Sequence, residues 1–197
     1  MPSRSGVPFR VITDPRPAPA IPSAVLGVTL FILSEAMLFA GLISAFSIAR
    51  SASLLGWPPL GQPRLPAGET ALNTLALLAS GVVLFFAGRA YARERRSAKA
   101  PMLAALSLGA FFVVFQGYEW VRLLGEGLTL TSSQHGSFFY LIIGLHALHA
   151  VAAITVLAWV YHRLARGLLA ASTFQAVRVF WYFVVGLWPI LYWRVYW

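Results

Sequence analysis

The sequence predicts an all-α fold, a polytopic bundle of five transmembrane helices. Three observations carry this. The 197 residues are 59% hydrophobic and only 11% charged, with a mean hydropathy of +0.74, far more apolar than a soluble domain. Uncharged runs recur, each close to the ~20 residues that cross a bilayer as a helix. The basic residues lie almost entirely between those runs. Backbone in hydrocarbon must satisfy its own hydrogen bonds, so segments of this length are helices.

Residues 1–22, MPSRSGVPFRVITDPRPAPAIP, are polar and proline-rich and read as an extended arm. They lack the apolar core and small-residue cleavage site of a signal peptide. Residues 23–197 form the membrane domain. Its first apolar segment runs from about Ala24 to Ala49 and its second from Ala71 to Arg89. The third starts at Pro101, a residue suited to a first helical turn, and runs to Trp120. The fourth covers Ser137 to Tyr161 and the fifth Ser172 to Trp193. No internal repeat is visible.

Orientation follows from the connections. One side carries Arg4, Arg10, Arg16, Arg89, Arg93, Arg95, Arg96, Lys99, Arg163, Arg166 and Arg178; the other carries Arg50, Arg64, Arg122 and Arg194. The positive-inside rule places the N-terminus in the cytoplasm and the C-terminus outside. The net charge of +9 thus reports orientation in a membrane and not nucleic-acid binding. Aromatic residues crowd WYFVVGLWPILYWRVYW and suit the headgroup region at its outer end.

Polar residues inside the spans are the candidate functional groups. Glu35 is the sole ionisable residue between Arg16 and Arg50. It lies about 16 Å along the first helix, near the midplane. An ionised carboxylate there is costly unless paired, hydrated or protonated. Glue between two helices and a proton- or lipid-linked role are both open. Gln116 and Glu119 share a face of the third helix near its outer end and read as an interfacial polar cluster. His146 and His149 share a face of the fourth. They could begin a metal site, which needs further ligands, or serve as hydrogen-bonded core histidines. Asn73 and Thr74, in ALNTLALLASG, can cap or cross-link helices. Ser80, Gly81 and Gly88 allow close packing.

Cofactor chemistry is narrowed by composition. With no cysteine, disulfides, thiolate metal sites and iron–sulfur clusters are excluded. The four histidines, His135, His146, His149 and His162, lie on the fourth helix or just before it. Bis-histidine haem ligation between facing helices is therefore not expected, and Met1, Met37 and Met102 offer little for mixed ligation. The chain is expected to bind no cofactor.

Taken together, FILSEAMLF, Trp57-Pro58-Pro59, LNTLALLASG, the helix end with Gln116, Glu119 and Trp120, and SFFYLIIGLHALH resemble subunit III of the haem–copper oxidases. The cytochrome c oxidase branch is the nearest resemblance, over about residues 24–197. Each motif is weak alone; their order on five helices is specific. The family also has seven-helix members, and the five-helix form is common among bacterial oxidases, which implies a bacterial plasma membrane. A subunit III-like component of a quinol oxidase or nitric oxide reductase is the alternative within the family, but those branches tend to carry aspartate where Glu35 stands. The last helix departs from the family's WHFVD, placing Tyr182 and Val185 where histidine and aspartate are usual.

The resemblance implies an accessory subunit without a catalytic centre. Haem and copper would lie in subunits I and II. This chain would pack on subunit I, hold phospholipid and support proton uptake and sustained oxygen reduction, with subunit IV and a respiratory supercomplex as further neighbours. Glu35 would line a lipid cleft, and Arg163, at the cytoplasmic end of the fourth helix, would meet a phosphate or act only as a topology signal. A small proton-linked transporter is the alternative of another class. The odd helix count, the lack of inverted repeats and the lack of matched broken helices weigh against it. A membrane hydrolase would need a base within reach of a nucleophile, and Ser34 diverges from Glu35 by about 100°.

Overall fold

The computed structural model describes residues 21–53, 56–59 and 61–197, so the arm expected over residues 1–22 lies almost wholly outside the described residues. Five helices, each long and apolar enough to cross a membrane, make up the rest: α1 (Ser23–Ser51), α2 (Ala67–Arg93), α3 (Lys99–Gly125), α4 (Gln134–Ala165) and α5 (Ala171–Tyr196). A 3₁₀ turn, Arg95–Ala98, joins α2 to α3, and no strand occurs among the described residues.

Every helix runs past the apolar segment read from the sequence, because helical hydrogen bonding continues where the side chains turn polar. The start of α4 shows why. Ser133 is its N-cap, with the side-chain oxygen accepting from Gly136 N at 3.0 Å. That contact satisfies one of the free amides of the first turn and starts the helix three residues before Ser137. Pro189 sits inside α5, where its missing N–H removes one ladder bond without ending the helix.

Side-chain ties fix the alternating helix directions. At one end, Tyr91 donates to Leu169 O at 2.9 Å and Lys99 to Ala165 O at 3.4 Å. This end gathers Arg93, Arg95, Arg96, Lys99 and Arg166 and is the arginine end below. At the other, Arg50 donates to Trp197 O at 2.6 Å and Tyr192 to Ala67 O at 2.8 Å. Trp57, Trp193 and Trp197 lie there, and it is called the tryptophan end.

The core lies among α2, α3, α4 and α5. Trp181 and Trp188, two turns apart on α5, are fully buried. Trp181 Nε1 donates to Ser80 Oγ at 3.2 Å and Trp188 Nε1 to Thr74 Oγ1 at 2.8 Å. Buried indole N–H groups need such partners, so each ring locks α5 against α2. Small residues let the helices approach. A methyl group at Gly109 would fall 2.6 Å from Cη2 of Trp181, and one at Gly81 3.1 Å from Cγ1 of Val185. In contrast, α1 buries only Val25, Phe39 and Phe46 and leaves most of its apolar surface outward.

Candidate functional site

Glu35 extends from α1 to α4, where its Oε2 lies 3.1 Å from Nε2 of His149. The distance is that of a hydrogen bond, while the ring N–H direction falls short of good alignment, leaving Oε2 without a well-directed donor. Both side chains are largely enclosed, at 16% and 11% exposure. The other ring nitrogen of His149, Nδ1, lies 2.8 Å from Leu145 O. A carbonyl only accepts, so Nδ1 carries hydrogen. Nε2 then faces Glu35 either as the acceptor of a carboxylic acid or as the second N–H of an imidazolium beside a carboxylate. Either form would leave the pair neutral overall, which would limit the cost of holding it at this depth.

Three phenylalanines wrap this pair. Phe39 packs edge-on to His149 at 5.7 Å between ring centroids, Phe31 stacks on it at 6.2 Å and Phe180 lies at 6.4 Å. Glu35 is thus held by protein, on a helix otherwise poor in tertiary contacts.

Gln116 and Glu119 form a second cluster with two partners the sequence reading missed. Thr70 Oγ1 of α2 lies 3.0 Å from both carboxylate oxygens of Glu119. Gln116 Nε2 donates to Glu119 Oε2 at 2.7 Å and to the Tyr196 hydroxyl at 3.1 Å. Read from sequence as an interfacial cluster near water, it is instead buried, with Glu119 at 1% exposure and Gln116 at 4%. The first turn of α2, through Thr70, and the end of α5, through Tyr196, cover it. A signal for Thr70 was present: Thr70, Asn73, Thr74, Leu77, Ser80 and Gly81 fall on one helical stripe, and all are buried.

Asn73 lies in the interior of α2, not at its start, and donates to Phe112 O at 3.1 Å. Of the two uses open from sequence, it serves as a cross-link. His146 is buried at 1% exposure, next to Trp188 at 5.1 Å between centroids. Arg163 turns onto its own helix end, with Nη2 donating to Leu168 O at 3.1 Å and the guanidinium 5.1 Å from the Trp159 ring centroid. It lies 14 residues beyond His149, about 21 Å along the axis, so the structure does not bring it to Glu35. Arg178 donates to the Tyr182 hydroxyl at 3.3 and 3.2 Å and lies over Gly88. Among the described residues, no three His, Asp or Glu side chains converge into a metal-binding group.

Comparison with known proteins places this arrangement. The family model for cytochrome c oxidase subunit III matches residues 20–197. Cytochrome c oxidase subunit 3 of Madoqua guentheri is 34% identical over 183 residues, covering 87% of this chain and 68% of that protein. The proteins of the same name from Equus caballus and Lemur catta are each 33% identical over 180 residues, covering 87% of this chain and 68% and 65% of theirs. With all five membrane helices inside the matched region, the chain belongs to the cytochrome c oxidase subunit III family.

Proposed function

We propose that the chain is the cofactor-free third core subunit of a respiratory cytochrome c oxidase in a bacterial plasma membrane. It packs on subunit I, whose haem and copper reduce dioxygen, beside the copper-bearing subunit II. Subunit IV and a respiratory supercomplex are its further neighbours. Its own work is to hold phospholipid against the assembly and sustain proton uptake through many turnovers.

The observation that carries this reading is the Glu35–His149 pair inside its phenylalanine wall. A carboxyl group that moves protons along a path needs a succession of polar neighbours. Here the acid meets one imidazole, whose other nitrogen ends on a backbone carbonyl. That favours an acid that docks α1 and lines a lipid-facing edge over a transporter's relay. Arg163, held at its helix end with part of its donor set free, suits a lipid phosphate there.

Replacing Glu35 with alanine and with glutamine in the purified complex tests the proposal. The alanine variant should carry less phospholipid and lose activity sooner over repeated turnovers. The glutamine variant, whose amide can still meet His149, should stay near the parent. Unchanged lipid, assembly and endurance in both would refute a role for the carboxyl group. Purification without a haem-bearing partner, as an oligomer that moves protons in liposomes, would favour the transporter.

A further inference from the structure

We propose that the cavity between α3 and α4 binds the uncharged, one-ring head of a membrane-soluble quinone or quinol, whose tail leaves between the two helices into the bilayer. Glu35, His149 and Arg163 take no part in it, so the site stands or falls apart from the role proposed for those residues.

The register of two helices builds the cavity. Phe112, Gln116 and Trp120 recur in steps of four along α3, and Ile143, His146 and Ala150 in steps of three and four along α4. Such steps keep residues on one face, so the two rows oppose each other across a space of about 190 Å³. Trp188 of α5, fully buried, forms its inner wall. That wall is well packed: the Trp188 ring centroid lies 4.9 Å from that of Phe112 and 5.1 Å from that of His146. The outer side is open, where Gly117 and Val151 are exposed. His146 lies about 18 Å along α4 from its start. The opening is therefore at hydrocarbon depth, and a ligand enters from the bilayer and not from water.

Size, charge and hydrogen bonding together select the head. A cavity of ~150 Å³ takes one benzene ring, so this one suits a single substituted six-membered ring and is too small for a fused ring system. No Arg, Lys, Asp or Glu lines it, which disfavours any charged head. Its polar groups lack partners. His146 is 1% exposed, and neither ring nitrogen has a hydrogen-bond partner. A histidine within a helix can bond the carbonyl four residues back, as His149 does with Leu145 O at 2.8 Å; His146 does not. Trp120 Nε1 is buried and unpartnered, and so is Gln116 Oε1, although Gln116 Nε2 has two partners. A neutral imidazole supplies one donor and one acceptor, the indole a donor and the amide oxygen an acceptor. Native interiors rarely leave such groups unmet. The carbonyls of a quinone accept from the two donors, and the hydroxyls of a quinol donate to the two acceptors, so one site suits both redox forms. Phe112, Trp120 and Trp188 offer the ring aromatic contacts. The remaining wall, Val113, Ile143, Ala147, Ala150 and Val151, is apolar and suits a ring better than a water cluster.

Photolabelling of the purified oxidase complex with an azido-benzoquinone bearing a decyl tail provides the test, with labelled peptides mapped by mass spectrometry. Label should fall on α3 or α4 of this chain and be displaced by unlabelled decyl-benzoquinone. Trp120→Phe deletes one N–H and keeps a ring, and should weaken that displacement about tenfold. Gly117→Leu fills the opening: a Cβ at Gly117 meets no atom within 4 Å, so the new side chain displaces ligand and not protein, and labelling should be lost. Gly125→Leu, equally open and outside the cavity, is the control and should label like the parent. Label confined to the haem-bearing subunit, or label on α3 and α4 unchanged in both test variants, would overturn the proposal. So would a high-resolution map of the quinone-treated complex with only water, or a partner's side chain, in the cavity. Should Gly117→Leu not assemble, Trp120→Phe decides alone.

Discussion

Replacing Glu119 with alanine separates the buried cluster's hydrogen bonding from simple packing. Two contacts disappear: Thr70 Oγ1 at 3.0 Å, which joins α2 to α3, and Gln116 Nε2 at 2.7 Å within α3. Neither donor is stranded. Thr70 keeps Pro66 O at 2.9 Å, and Gln116 keeps Tyr196 at 3.1 Å. The cost is therefore below that of an orphaned buried polar group. Interhelical hydrogen bonds in membranes average about 0.6 kcal/mol, with a maximum near 1.7. Loss of packed side-chain atoms adds about 0.8 kcal/mol per methylene. The sum is about 1–3 kcal/mol.

Glutamine at the same position should cost less. Its carbonyl keeps Thr70, and its amide can donate to Gln116 Oε1, which has no partner in the parent protein, once that amide turns over. Detergent-denaturation midpoints of the purified subunit in mixed micelles measure both variants, and a double-mutant cycle with Thr70→Val isolates the pair. The expected coupling is about 0.6 kcal/mol. An alanine variant no worse than glutamine, or zero coupling in the cycle, would refute the argument that this cluster ties α2 to α3.

Other expectations follow from the same packing. Gly109→Ala pushes a methyl group against the buried Trp181 ring at 2.6 Å and should destabilise by about 1–3 kcal/mol; Gly117→Ala, open at Cβ, should be neutral or stabilising in the same denaturation assay. Trp188→Phe deletes the 2.8 Å bond to Thr74 and should cost about 1–2 kcal/mol, measured the same way. His149→Leu alone should be worse than His149→Leu combined with Glu35→Leu, because one half of an enclosed pair is costlier than none; thermal release of the subunit from the complex ranks the two.

Each helix was legible because hydropathy reports its hydrocarbon-spanning part. The ends were not, since Ser133, Arg93 and Gly125 continue helices by capping and backbone bonding that hydropathy ignores. Gln116 and Glu119 could be paired from sequence because i and i+3 share a face. Their ties to Thr70 and Tyr196 depend on which helices neighbour α3, and periodicity does not encode adjacency. The same limit hid His149 as the partner of Glu35: both residues stood out, but they lie more than a hundred positions apart on different helices.

The fifth helix shows that a missing polar pair need not leave a gap. Val185, where the resemblance led to aspartate, is 7% exposed and packs against Gly81 of α2, whose added methyl would sit 3.1 Å from Cγ1. Tyr182, in place of histidine, accepts from Arg178. The seam between α2 and α5 is closed by valine on glycine, and the polar contact of Tyr182 runs one turn toward the arginine end, to Arg178. Val185→Asp should therefore not restore a network. It would put a carboxyl group between two packed helices, seven residues and about 10 Å along the axis from Arg178, at a depth where insertion of aspartate costs roughly 2.5–3.5 kcal/mol. Adding Tyr182→His should recover part of that loss if the imidazole can turn toward the new acid one turn away. Denaturation midpoints of the single and double variants decide it. A Val185→Asp single variant as stable as the parent would mean that the α2–α5 seam is looser than its geometry implies.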